Sequence, residues 1–283
     1  MSGIDPKVAP GLDADPTKRI NSGATRARLK SVALPASYGS WSLVSEPILL
    51  GLLVAPTWSG ALLALAGLLT FLLNQPLKIL MTDWQRGRQY ARTRLALRVA
   101  IVYLLLAAFC FAGAVLLVDL RPLLPLAMAV PLMIVFIAYE RRPGRYWQAE
   151  LSAPAAFSAI SASIALAAQW DYPMAFALWA VMIFRSVPAV LYVRARLRLA
   201  KGKEAAAGPA IGAHVLALAA VLLLVWLSLV PWTAVLAFFI LLMRAIVGLS
   251  RYRREFAPMT LGWIETAIGL VTVLILAAGY WML

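Results

Sequence analysis

Glu46 and Arg185 are ionisable residues set deep in runs of otherwise apolar sequence. A charge at membrane depth is costly and marks a functional site unless its side chain can reach the interface. Arg185 lies nine residues before Arg194, so on a helix its Cα is over ~10 Å from the basic boundary. Pro47 directly follows Glu46, and Pro188 follows Arg185 by three residues. Proline removes a backbone donor and frees a carbonyl, which kinks a helix at that point. The pair fits two chemistries, an ion pair with each other or a shared site for a charged ligand. Arg244, Glu265 and His214 lie within about two turns of a span end and are expected to snorkel or cap.

The other polar residues near span ends fall on the same side: Asn74, Gln75 and Lys78, then Asp83 and Arg86, then Tyr139, Glu140, Gln148 and Glu150. This one-sidedness predicts a polar cavity open to the cytoplasm above an apolar interior, suited to an anionic head with a hydrocarbon tail. Lys78, Arg86 and Arg185 are the expected head-group ligands, Asn74 and Gln75 orient the head, and Glu46 is the counter-charge. The arginine runs at 86–94 and 194–198 add fork-shaped donors that suit phosphate. With one cysteine, Cys110, and one histidine, neither a disulfide framework nor a metal site is expected.

The elements that must hold these residues follow from composition. The chain is 63% hydrophobic and 13% charged, with a mean hydropathy of +0.84. These fractions lie far from those of soluble domains. Uncharged stretches of about 18 to 20 residues recur, each long enough to cross a bilayer as a helix, and they are apolar on every face, unlike barrel strands. Seven to nine spans are predicted, the fuller count being 40–56, 58–76, 96–118, 121–139, 151–169, 173–193, 210–230, 232–249 and 261–282. The fold class is all-α, a polytopic bundle of about nine transmembrane helices.

Loops between the spans alternate, one set short and nearly uncharged, the other rich in arginine. Assigning the basic loops to one side places every loop Lys and Arg there except Arg121, as the positive-inside rule requires. The N-terminus is then cytoplasmic and the C-terminus outside. The net charge of +14 belongs to these loops, which argues for lipid head groups and against nucleic acid as partner. Residues 1–36 read as a basic, partly disordered arm without a cleavable signal, and 37–283 as a single membrane domain. Trp58, Trp170, Tyr172, Trp232 and Trp281 mark the outer boundary as an aromatic belt.

Three segments carry a resemblance: Gly39-Ser40-Trp41-Ser42-Leu43 to Glu46-Pro47 with Leu49-Leu50-Gly51; Gln75-Pro76-Leu77-Lys78; and Arg185-Ser186-Val187-Pro188 through Arg198. They resemble the YwiC-like family of bacterial membrane proteins, which implies location in the bacterial cytoplasmic (inner) membrane. The topology is also similar to the UbiA prenyltransferase superfamily, a nine-helix bundle with functional loops after spans two, four, six and eight. That second resemblance implies an isoprenoid or other lipid partner. The family's first magnesium motif, Asn-Asp-x-x-Asp, falls here on Asn74-Gln75-Pro76-Leu77-Lys78, and the second falls near Arg185 and Ala189, so no cofactor is expected. Magnesium needs clustered oxygen ligands, whereas Lys78 and Arg185 would meet phosphate directly. The resemblance thus implies a divergent transferase or a non-catalytic lipid binder, alone or with other membrane subunits. The competing expectation is a transporter or channel for protons or small anions.

Overall fold

A computed structural model describes residues 29, 31–34, 38–87, 90–140, 142, 144, 146–250, 254 and 256–282. The arm expected over 1–36 lies outside them except for its last few residues. Ten helices follow: α1 (Tyr38–Val54), α2 (Trp58–Gln85), α3 (Ala91–Leu117), α4 (Leu123–Glu140), α5 (Trp147–Phe157), α6 (Ala159–Ala167), α7 (Tyr172–Leu199), α8 (Gly208–Trp226), α9 (Thr233–Leu249) and α10 (Pro258–Trp281). No strand occurs among the described residues. Helix α6 continues α5 after a break at Ser158, and the two together form one span, Trp147–Ala167.

Seven helices are long and apolar enough to cross a membrane, and α1 and α9 are shorter apolar helices. The chain is an all-α polytopic membrane protein. Without water in the hydrocarbon, backbone groups must be satisfied internally, which helices alone do within each segment. Several helices outrun the spans read from hydropathy: α2 runs on to Gln85, α3 starts at Ala91 and α7 continues to Leu199. The extra turns carry polar side chains at the basic end.

Local signals set the ends. Thr57 caps α2, its Oγ1 accepting from Gly60 N at 2.9 Å. Helices α7, α8 and α10 each open with a proline in the first positions, where no N–H is required. At the opposite ends of α6 and α8, Gln169 (φ 61°) and Ser228 (φ 57°) turn the chain through the left-handed conformation.

The α5/α6 span is the most enclosed, packed by α1, α2, α4 and α7. Helices α8, α9 and α10 continue the bundle from α7, and α10 returns to pack on α1. The main core runs through Leu50, Leu63, Ile164, Leu166, Leu178 and Leu276, all fully buried. Helices α3, α4 and α8 turn mostly apolar, exposed surface outward, as expected of helices whose solvent is lipid.

Side-chain contacts identify which loops share an end. At one end Lys78 meets Glu140 at 2.5 Å, Arg194 meets Glu150 at 2.8 Å, and Arg196 donates to Gly248 O and Arg254 O. At the other, Arg121 donates to Gln169 Oε1, Trp281 Nε1 donates to Leu53 O, and the Trp170 and Tyr280 rings lie 5.4 Å apart. The bundle therefore has a basic end and an aromatic end, the same partition that the loop charges give. The final turn of the arm docks at the basic end's flank, where Val32 is buried, Gln75 Nε2 reaches Ser31 O and Tyr103 Oη reaches Ala33 O.

Candidate functional site

Five helices, α1, α7, α8, α9 and α10, each contribute ionisable side chains to one interior cluster. Glu46 enters from the middle of α1, one residue before Pro47. Arg185 comes from the middle of α7, three residues before Pro188. Arg185 Nη2 donates to Glu46 Oε1 at 3.0 Å, and both side chains are almost wholly buried, 2% and 5% exposed.

Helix α10 makes room for that pair through Gly269. A β-carbon there would fall on Glu46 Oε1 and 2.7 Å from Arg185 Nη2, so the absence of a side chain lets the ion pair sit against the α10 backbone. One turn nearer the basic end, Glu265 on α10 binds Arg244 of α9 through Oε2 and Nη1.

Arg244 has further partners. Its Nη2 lies 3.3 Å from His214 Nε2, and its guanidinium carbon is 4.2 Å from the centre of the Tyr192 ring. His214 Nδ1 lies 2.8 Å from Ala210 O, which can only accept, so Nδ1 carries the ring proton and Nε2 accepts from Arg244. Tyr192 in turn fits because Gly248 faces its hydroxyl and ring edge; a β-carbon at Gly248 would come within 2.8 Å of Tyr192 Cε2.

The two ion pairs are close enough to act on one another, since Glu46 feels Glu265 and Arg244, and Arg244 feels Arg185. With two arginines, two glutamates and a neutral imidazole, the cluster carries no net charge. It is nevertheless not closed. Arg185 Nε, Arg244 Nε and Glu265 Oε1 are buried without a hydrogen-bond partner among the described residues. Ser152 Oγ and Gln148 Oε1 on α5 are in the same condition. The contacts Arg194–Glu150 and Trp179 Nε1–Ala155 O bracket α5 against α7 and place Ser152 at the level of the segment holding Arg185. Unsatisfied polar groups on this scale are rare in stable interiors and point to water or a ligand as the missing partner.

The residues singled out from sequence divide into separate places. Glu46 and Arg185 are brought together. Lys78 is half-exposed and engaged with Glu140 of α4, Asn74 is exposed, Gln75 reaches the arm at Ser31, and Arg86 is exposed at the end of α2. The contacts formed by Lys78 and Gln75 thus differ from those formed by Arg185.

Asp83, grouped with them from sequence, is fully buried and accepts from Arg92 Nη2 at 2.6 Å, Arg92 Nε at 3.3 Å and Thr93 Oγ1 at 2.6 Å. It latches the α2–α3 hairpin. Arg244, Glu265 and His214 do not snorkel as expected; they turn inward and bind one another. Each stands within two turns of a basic-end terminus on consecutive helices, and this shared depth is the signal that links them in the sequence.

Against known proteins, neither the curated sequences nor the solved structures contain a match. Over residues 34–165, α1 to nearly the end of α6, the chain matches the family model described as YwiC-like protein, a stretch that holds the α1 and Gln75–Lys78 motifs.

Proposed function

We propose that this protein is a transporter or channel of the bacterial cytoplasmic membrane, N-terminus cytoplasmic and C-terminus outside, passing protons or small anions by way of the Glu46–Arg185 and Arg244–Glu265–His214 cluster. The observation that carries this reading is the assembly itself, ionisable groups from five helices joined in the interior with polar atoms left over. A cluster kept only for stability would gain from closing every hydrogen bond, because buried charges repay their desolvation only when fully paired. Chains of carboxylates, histidine and arginine inside a bundle are the usual substance of proton and anion pathways.

The test is flux through liposomes carrying the purified full-length chain and an internal pH dye, under an imposed potential, with chloride, nitrate or phosphate outside. Flux above that of empty liposomes, falling at least about tenfold in Arg185→Gln and Arg244→Gln, supports the reading. Flux equal to empty liposomes, or unchanged in both variants, removes it.

A second reading, the binding of an isoprenoid or other anionic amphiphile by a UbiA-like bundle, is favoured by one observation. Ala237 and Ile240 of α9 with Ala267, Ile268, Val271, Thr272 and Ile275 of α10 line an apolar groove of about 170 Å³. Its apolar lining suits part of a hydrocarbon chain. Mass spectrometry of lipids that co-purify in detergent tests it: one enriched species, depleted in Arg244→Gln or in Lys78→Ala with Arg185→Ala, is expected, and a bulk lipid profile in the native protein counts against it.

A further inference from the structure

We infer that the species carried past the Glu46–Arg185 pair travels along one side of the α5–α6 span. Gln148 leads in from the basic end, Ser152 stands at the level of the pair, and Ser163 and Tyr280 lead out to the aromatic end. The inference rests on the transport reading for what moves and on side-chain geometry for where it moves.

A serine or threonine buried in an apolar helix commonly donates its hydroxyl to a carbonyl about one turn back, which offsets the cost of taking it out of water. Thr70, Thr266 and Thr272 do so. Within α5–α6, Ser158 Oγ donates to Pro154 O at 2.7 Å and Ser161 Oγ to Ser158 O at 2.8 Å. Ser152 and Ser163 break the pattern. They are 6% and 0% exposed, yet neither hydroxyl has a partner among the described residues.

These two serines are eleven residues apart, which at ~100° per residue returns them to the same side of the helix. Ser158 at the junction keeps helical dihedrals, φ −61° and ψ −23°, so the register carries through the break. Gln148, whose Oε1 is also buried and unpartnered, precedes Ser152 by about one turn on that side, whereas Ser158 and Ser161 fall elsewhere on the wheel. Helices α1 and α7, which the Glu46–Arg185 pair joins, both pack on the span, and Arg185 Nε is open as well. From Ser152 to Ser163 the span rises ~16 Å, about half of the ~30 Å hydrocarbon thickness.

The series continues at the aromatic end. Tyr280 Oη is buried without a partner, and its ring lies 5.4 Å from that of Trp170, three residues beyond the end of α6. Thr233 Oγ1, unpartnered too, lies against the α10 backbone at Gly279, where a β-carbon would fall on it. Hydroxyls both donate and accept without carrying charge, so each can exchange partners with a passing water or small hydrated ion.

The experiment places cysteines at Ser152 and Ser163 of the full-length chain in a Cys110→Ala background. Ala165, fully buried two residues from Ser163 and on another side of α6, is the control position. In proteoliposomes given 2-sulfonatoethyl methanethiosulfonate on both sides of the membrane, this charged reagent reaches a thiol only through water. Ser152→Cys and Ser163→Cys are expected to react at least about fivefold faster than Ala165→Cys. In the native chain, hydroxyl radicals made from water by synchrotron X-rays are expected to oxidise Tyr280 at least about fivefold faster than Phe238, itself 2% exposed, because buried side chains are reached only beside held water. Either serine position reacting no faster than Ala165→Cys overturns the assignment, and a Tyr280 as inert as Phe238 does so without any variant. Reaction at both positions without liposome flux retains the route and removes the transport reading; flux with both positions inert does the reverse.

Discussion

Gly269 shows how narrow the tolerance of the interior is at the scale of a single residue. The pairing of Glu46 with Arg185 needs α10 to approach without a side chain, so Gly269→Ala pushes a methyl group onto the carboxylate. The helix itself would welcome alanine, by about 1 kcal/mol. The steric effect wins because the added β-carbon would meet both Glu46 and Arg185, and separating the pair leaves a buried charge uncompensated, at a cost of about 3–5 kcal/mol. We expect Gly269→Ala and Glu46→Ala both to lower the thermal transition in detergent by several degrees. Gly262→Ala, on the same helix with open space at its β position, serves as the control and leaves the transition unchanged or raised. Equal transitions for Gly269→Ala and Gly262→Ala would show that α10 does not seat the pair.

Helices bring together what single residues cannot announce. The sequence shows Glu46 and Arg185 as deep charges and proline-marked kinks, which is why their pairing was legible. It shows His214, Arg244 and Glu265 as shallow charges, each with an individual escape to the interface. That they turn inward depends on how α8, α9 and α10 are rotated, and a uniformly apolar helix gives periodicity nothing with which to fix its rotation.

Asp83 was misleading for the complementary reason. Its neighbours in sequence are basic and exposed, so it reads as part of a polar mouth, whereas the hairpin geometry folds Arg92 and Thr93 back over it. Removing the acceptor leaves three donors to find water, so Asp83→Ala is expected to weaken the α2–α3 hairpin. Faster protease cleavage at 86–90 in liposomes, with the α7–α8 loop at 200–207 cleaved at its native rate, is the expected result. Unchanged cleavage at 86–90 would mean that packing between α2 and α3 alone holds the hairpin.

For the whole molecule, the all-α class and the order of the apolar helices were legible because hydropathy and loop charge are independent signals, whereas the expected count of about nine compares with seven helices long and apolar enough to cross and two shorter ones, α1 and α9. Helix lengths were less legible, since α2, α3 and α7 continue as helices past the apolar stretches that hydropathy detects. The two ends defined by contacts, basic at Lys78–Glu140 and Arg194–Glu150, aromatic at Trp281–Leu53 and Trp170–Tyr280, turn orientation into a measurable statement. Cys110 is buried and is the chain's one cysteine, so a Cys110→Ala background makes the protein silent to thiol reagents. A cysteine placed at Gln85 or Lys203, both exposed, is expected to react with an impermeant maleimide only after the cytoplasmic face is opened. Replacing Pro56 or Ser228, in the short uncharged loops, is expected to give reaction from outside intact cells. The sidedness follows from the cost of carrying the arginine-rich loops across the membrane, which the four short loops do not incur. The reverse pattern would invert the bundle; mixed labelling at one position would mean that the loops do not share an end.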